Sequence, residues 1–377
     1  MEGFGEILDL DDVSLVSSFD SMDLIDEEAD WPARCLDAIK VGDKVDLPGS
    51  YEDPSRIIVC GMGGSAIGGD YLKFWLLNKL KVPVIVSQDY VLPAFVGEED
   101  LVICVSASGN TEETLSAFYE GMRRRCRVLA ITSNGFLETF CGELGVPLVL
   151  IPKPKQPRFA LPYLFFPMPV VLEKVGLLSS DWRKEAEEAA EILKKNRDRL
   201  MVDTPVEENL AKKIAMEVYG RIPLVYGFRH YSPVAKRIKC EFNENSKVLA
   251  MNDVFPEINH NTIVGFEAKD ALTKIFTTIL LRDHDEPLEI KTRIETTKRI
   301  AIEEKTGSLI EVFGEGESLL ARMFSTTFVG DFASIYLAIL YEKDPATIIT
   351  IDKLKKELKE KVGTQEKIKE AVKKLKR

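Results

Sequence analysis

A chain of 377 residues is about twice the usual domain size, so two cores are expected. With 45% hydrophobic and 29% charged residues it has the composition of a globular chain, and a net charge of −11 argues against wholesale nucleic-acid binding. Cys35, Cys60, Cys104, Cys126, Cys141 and Cys240 form no C-x-x-C pair and no zinc-like grouping with histidine, so free thiols in a reducing cytoplasm are expected.

The first thirty residues are acidic and lack both a basic n-region and an unbroken apolar run, so they do not read as a signal peptide. From Arg56 onward short β-branched runs alternate with helical patterns, the signature of βα units on a parallel sheet. The strands fall at 56–60, 82–88, 101–106, 127–133 and 146–152. Helices are expected over Ala66 to Leu80, Thr111 to Arg125 and Phe136 to Leu144. The most apolar stretch, "ALPYLFFPMPVVLEKVGLL", is broken by Pro162, Pro167 and Pro169 and then carries Glu173 and Lys174, so no membrane span is expected there. A charged surface helix bridges 179–205. Beyond it, strands are expected at 222–227, 270–281 and 307–316, with helices at 232–247, 286–305 and 317–341. The lysine-rich residues 351–377 read as a solvated amphipathic helix, without the interleaved aromatics of a nucleic-acid tail.

Open α/β sheets bind ligands at the carboxyl ends of their strands, so the turns just after strands carry the chemistry. After the first strand comes "GMGGSAIGG", in which Gly61, Gly63 and Ala66 satisfy G-x-G-x-x-A, and Asp89 after the second strand could hold a ribose. A nicotinamide-dependent dehydrogenase is therefore one reading. That reading does not account for "SASGNTEET" after the third strand. There Ser106, Ser108, Asn110 and Thr111 crowd hydroxyls and an amide at a helix start, a setting suited to a compact phosphate dianion. Thr111 is also a plausible N-cap, which would account for one of these residues without a ligand.

A second constellation lies in "CEFNENSKVLAMNDVFPEINHN". Glu241 and Glu244 stand three apart on a helix end, and His260 follows. A positioned carboxylate suits a general base, and histidine passes protons near neutral pH. Either glutamate could instead solvate a helix face. His230 and His284 are assigned no chemistry.

"GMGGSAIGGDY", "VSASGNTEET", "PKPKQPRFALP", "EFNENSK", "PEINHN" and "IDKLKKEL" occur in the order seen in the bifunctional phosphoglucose/phosphomannose isomerases. The chain resembles that archaeal-type branch of the phosphoglucose isomerase superfamily from about Trp31 to Leu358. The resemblance implies an α/β fold of two sugar isomerase (SIS) subdomains, each a mainly parallel sheet flanked by helices in a doubly wound three-layer sandwich. They would occupy 31–178 and 206–350, between an N-terminal extension (1–30), a linker (179–205) and a C-terminal tail (351–377).

It further implies an aldose-ketose isomerase that interconverts glucose 6-phosphate, and mannose 6-phosphate, with fructose 6-phosphate through ring opening and a cis-enediolate. Gly63, Gly64 and Ser65 would line the sugar-phosphate pocket, and Ser106, Ser108 and Thr111 would hold the phosphate. Arg158 would stabilise the enediolate, Glu244 would be the base, and His260 with Lys355 would open the ring. Lys353 and Lys356 compete with Lys355 in the match, and Thr347 and Thr350 are candidates for the threonine linked to the mannose epimer. The family works as a homodimer with His260 shared across the interface, and needs no metal, nicotinamide, nucleic acid or membrane. A non-catalytic phosphosugar sensor would keep the serine loop and lose the acid/base set.

Overall fold

The computed structural model describes residues 7–375, so the first six residues of the acidic extension and the last two of the tail lie outside the described residues. In chain order they form α1 (Val13–Phe19), α2 (Leu24–Ala29), α3 (Trp31–Asp43), β1 (Arg56–Cys60), α4 (Gly64–Trp75), β2 (Val84–Ser87), β3 (Asp100–Ser106), α5 (Glu112–Arg123), β4 (Arg127–Thr132), α6 (Gly135–Leu144), β5 (Leu148–Leu150), α7 (Leu161–Phe165) and α8 (Pro167–Lys174). There follow α9 (Trp182–Leu200), α10 (Leu210–Val218), β6 (Ile222–Phe228), α11 (Ser232–Glu244), β7 (Met251–Phe255), α12 (Asp270–Thr273), β8 (Phe276–Arg282), α13 (Leu288–Thr297), β9 (Ser308–Phe313), α14 (Leu319–Leu340), α15 (Ile349–Lys361) and α16 (Thr364–Leu375).

These elements group into two compact units. One comprises Ala33–Lys184 with the chain from Ile348 onward; the other comprises the N-terminal segment through Pro32 with Glu185–Thr347. In the first unit five parallel strands lie in the order β2-β1-β3-β4-β5. Its central strands are buried, save Arg56 at the start of β1, which is why "RIIVC" and "LVICVS" read as apolar runs rather than as alternation. In the second unit four parallel strands lie in the order β7-β6-β8-β9.

Several elements differ from expectation for identifiable reasons. The run 270–281 opens as the short helix α12 and becomes strand only from Phe276, a boundary that apolar periodicity does not mark. The expected helix 286–305 is α13 followed by a wider π-type turn over Lys298–Ile302. The edge strand β7, "MNDVF", is half-exposed and carries two polar residues in five, so it has no apolar signature. The expected surface helix, α9, buries Ala186, Ala189, Leu193 and Leu200 along one face. The broken apolar stretch becomes α7 and α8, which are buried almost throughout. The helix α14 is apolar and long enough to cross a bilayer, yet every residue from Leu320 to Leu340 is buried.

A buried charge cluster locks α2 against α11 and α14. Arg237 donates to Asp331 Oδ2 at 2.7 and 2.9 Å and pairs with Glu241 Oε1 at 3.2 Å, while its guanidinium lies 5.3 Å from the Trp31 ring centroid. Glu28, fully buried, completes the group. One guanidinium cannot neutralise three carboxylates, so the cluster retains a proton. Burial, then the nearby Asp331 charge, pushes the Glu28 carboxyl well above the usual range. Both Glu28 oxygens and Asp331 Oδ1 lack a donor among the described residues, and a proton on Glu28 shared with Asp331 supplies it.

That proton sets a pH dependence. Folded Glu28 keeps its proton above the pH at which the unfolded chain loses it, so this stabilisation is complete below the ordinary carboxylate pKa and declines as pH rises toward the folded value. The slope is about 1.4 kcal/mol per pH unit where the proton difference is complete. Glu28→Gln removes that slope, so the Tm of the variant minus that of the wild type rises from pH 5 to pH 8. A difference that stays constant across that range contradicts the shared proton.

Candidate active site

In the first unit the chain leaves β1 for β2 on one side, then crosses back to β3 on the other, so the strand order reverses between β1 and β3. A crevice opens at such a switch point beyond the carboxyl ends of the strands. The helices that follow these strands, α4 and α5, begin at its two walls, and their dipoles make the crevice favourable to an anion, although the Ser65 and Ala66 amides of α4 already donate to Met62 O and Gly63 O at 3.0 and 3.1 Å.

The glycine turn forms one wall. Gly63 stands at the N-cap of α4 with φ of 51°, a left-handed conformation that favours glycine. A Cβ on Gly64 would lie 3.2 Å from Arg158 Cα, so glycine lets the "QPRFALP" turn pass close beside α4. Ser65 is buried, and its Oγ accepts from Ala107 N at 3.4 Å, which ties the glycine turn to the serine loop.

The serine loop forms the other wall. Thr111 occupies the N-cap position of α5 but caps no amide; its hydroxyl lies 2.9 Å from Ser106 Oγ, which also accepts from Gly109 N at 3.1 Å. The capping explanation of Thr111 is therefore set aside by the geometry. Ser108 is exposed, and Asn110 folds back on it, donating from Nδ2 to Ser108 O at 3.0 Å. Arg158 is buried, 3% exposed, on the turn Pro157–Ala160, its guanidinium 5.4 Å from the Phe159 ring centroid. The backbone of Arg158 passes beside the first turn of α4, so a buried, permanently charged side chain starts next to a helix N-terminus.

Sequence reasoning passed over the loop after β4, which braces this wall. Ser133 Oγ donates to Ala107 O at 2.6 Å, Phe136 N donates to Asn110 Oδ1 at 3.1 Å, and a Cβ on Gly109 would run into Asn134 O. Its signal was a second hydroxyl-rich "TSNG" turn just beyond a strand.

The acid/base candidates belong to the second unit. Glu241 is committed to structure: it pairs with Arg237 and accepts from Asn245 Nδ2 at 3.1 Å. Glu244 ends α11 and is half-buried. Its neighbours hold that helix end: Asn243 Oδ1 accepts from Ala250 N at 2.9 Å, Asn245 Nδ2 donates to Ser334 Oγ at 2.9 Å, and Ser246 Oγ donates to Ser334 O at 2.6 Å. His260 follows the short turn Glu257–Asn259 and is exposed, while Asn259 donates to Thr297 and Asn261 to Glu257 to shape the turn. Because β7 runs parallel to β6, Glu244 lies at the amino edge of this sheet and His260 beyond its carboxyl edge. The five residues of β7, about 16 Å, separate the two edges.

Lys353, Lys355 and Lys356 are all exposed on α15, which buries none of its residues. Lys356 Nζ lies 4.0 Å from Glu360 Oε1. Thr347 Oγ1 donates to Asp344 O at 3.0 Å, and Thr350 is exposed.

The fold and the crevice define the class. A SIS domain model matches residues 50–137, and a model described as the bacterial phospho-glucose isomerase C-terminal SIS domain matches residues 207–358. A solved structure of hypothetical protein TT0462 from Thermus thermophilus shares the fold, with a TM-score of 0.71 over 93% of each chain at 15% identity. The bifunctional phosphoglucose/phosphomannose isomerase of Caldicellulosiruptor bescii is 38% identical over 330 residues, 87% of this chain and 97% of that protein. The protein of the same name from Aquifex aeolicus is 39% identical, over 80% of this chain and 90% of its own length. The chain belongs to the bifunctional phosphoglucose/phosphomannose isomerase family.

The two glutamates should separate in stability. Glu241→Ala removes one of the carboxylate partners of Arg237, which keeps Asp331, and the acceptor of Asn245 Nδ2; it lowers stability by about 1–3 kcal/mol in urea unfolding, whereas Glu244→Gln stays within about 0.5 kcal/mol of wild type. Equal losses would mean that both carboxylates serve the fold.

Proposed function

We propose that the protein interconverts glucose 6-phosphate and mannose 6-phosphate with fructose 6-phosphate. The observation that carries this reading is the switch point between β1 and β3, where Ser106 and Thr111 pair their hydroxyls at the start of α5 and the turn of Arg158 passes beside the start of α4, in a chain of this family. The glycine turn then faces a sugar phosphate rather than a dinucleotide, with Gly63, Gly64 and Ser65 lining the pocket.

The steps follow from what each group can do. Opening the pyranose moves the C1 hydroxyl proton to the ring oxygen, a transfer assigned to His260 and Lys355. Glu244 then takes the C2 proton and gives a cis-enediolate, whose negative charge Arg158 stabilises with a guanidinium that does not deprotonate. Delivery of the proton to C1 yields the ketose. Rotation about C2–C3 lets the same base serve either epimer at C2.

We further propose that the working unit is a homodimer in which His260 of one protomer completes the site of the other. The support is the separation within one chain: Glu244 and His260 lie at opposite edges of one parallel sheet, and His260 is exposed. A reducing cytoplasm suits the thiols. None of the six cysteines is in a disulfide, five are buried, and burial pushes the Cys141 thiol up to about 12.

A coupled assay in chelator, with glucose 6-phosphate, mannose 6-phosphate and glucosamine 6-phosphate supplied separately, tests the reaction. Turnover of the first two to fructose 6-phosphate is expected, and turnover of none of the three refutes the reading. Glu244→Gln should lose turnover by at least about a thousandfold while hexose-phosphate binding persists, because the base is removed without the phosphate contacts. Mixing and refolding Glu244→Gln with His260→Ala chains should restore up to about one quarter of wild-type activity, since only mixed dimers carry one intact site. No recovery contradicts the shared site.

A further inference from the structure

We propose that the C-terminal helix α16 is a positioning element of the phosphate-binding loop, with Gln365 its working residue. The inference rests on the phosphate reading above and goes beyond it, because α16 lies past residue 358, where the matched family domain ends.

The sequence of α16, "TQEKIKEAVKKL", is amphipathic, and its apolar residues do not face water. Ile368 and Val372, one helical turn apart, are buried in a cluster with Leu115 and Phe118 of α5 and Phe140 and Cys141 of α6. Lys369 lies over the Phe136 ring at 5.2 Å. The part of the tail expected to be solvated is therefore docked on the two helices that flank the loop.

That docking delivers one polar contact to the loop itself. Gln365 Nε2 donates to Asn110 O at 2.6 Å. Asn110 is held on its other side by Phe136 N at Oδ1, and it immediately precedes Thr111. A trans peptide is planar, with its C=O and N–H on opposite sides. Drawing the Asn110 carbonyl toward α16 thus turns the Thr111 N–H away from α16, toward the side where Ser106 and Thr111 pair their hydroxyls. Gln365 fixes the orientation of a loop amide that would bind phosphate, without touching the substrate.

The test compares the full chain with Gln365→Leu, which keeps the bulk and removes the donor, and Gln365→Lys, which restores a donor. Thermal melts establish that each variant is folded. Gln365→Leu should raise KM for glucose 6-phosphate about 3- to 10-fold, the worth of one net hydrogen bond, with kcat unchanged within about twofold. Gln365→Lys should bring KM back, and amide exchange at Asn110 and Thr111 should quicken in the leucine variant alone. Unchanged KM and exchange in Gln365→Leu, or a loss that Gln365→Lys does not repair, overturns the inference. If the wild type turns over no hexose phosphate, the functional reading fails separately. Exchange at the loop and affinity for inorganic phosphate then decide the role of Gln365.

Discussion

The phosphate reading of this protein depends on two helix N-termini being brought to one crevice by the order of strands in a parallel sheet. A phosphate dianion is costly to remove from water unless several donors replace its hydration, and a single helix end supplies only part of that set. Reversal of strand order between β1 and β3 places α4 and α5 at one crevice, and the loops between strand and helix then add hydroxyls. Gly64 matters through the same geometry, since any Cβ there would press on the backbone of Arg158. Sheet order and loop chemistry converge on one space that favours an anion.

In the second unit, buried polar groups hold the candidate base by pairing with one another. Glu241, Asn243, Asn245 and Ser246 secure the end of α11, which fixes Glu244 through its neighbours. The Arg237 cluster on the same helix binds α2 to α11 and α14 with one guanidinium and three carboxyl groups. Such a cluster adds little net stability against an apolar replacement, but it admits one packing only, because any other leaves a buried charge without its partner.

Strands with continuous apolar runs were legible because a sheet covered on both faces leaves no other pattern. The edge strand β7 was not, since half-exposed "MNDVF" has neither alternation nor an apolar run. The serine and glycine loops could be found from hydroxyls and glycines placed just after strands, whereas residue chemistry alone left Glu241 and Glu244 equivalent and only the resemblance singled out Glu244. Their difference is made by Arg237, four residues before Glu241 on the same helix, and by Asp331 on another. Charged residues read as surface by default, so the burial of Glu28 and Arg237 left no trace in composition. The docking of α16 did leave one, the pair Ile368 and Val372 one turn apart, overlaid by the lysines around it.

The most direct test of the phosphate crevice is a crystal structure with fructose 6-phosphate bound. The account predicts the phosphate within hydrogen-bond distance of the Ser106, Ser108 and Thr111 hydroxyls, between the first turns of α4 and α5. A phosphate bound elsewhere, for instance along the exposed lysines of α15, with that crevice empty, would contradict it.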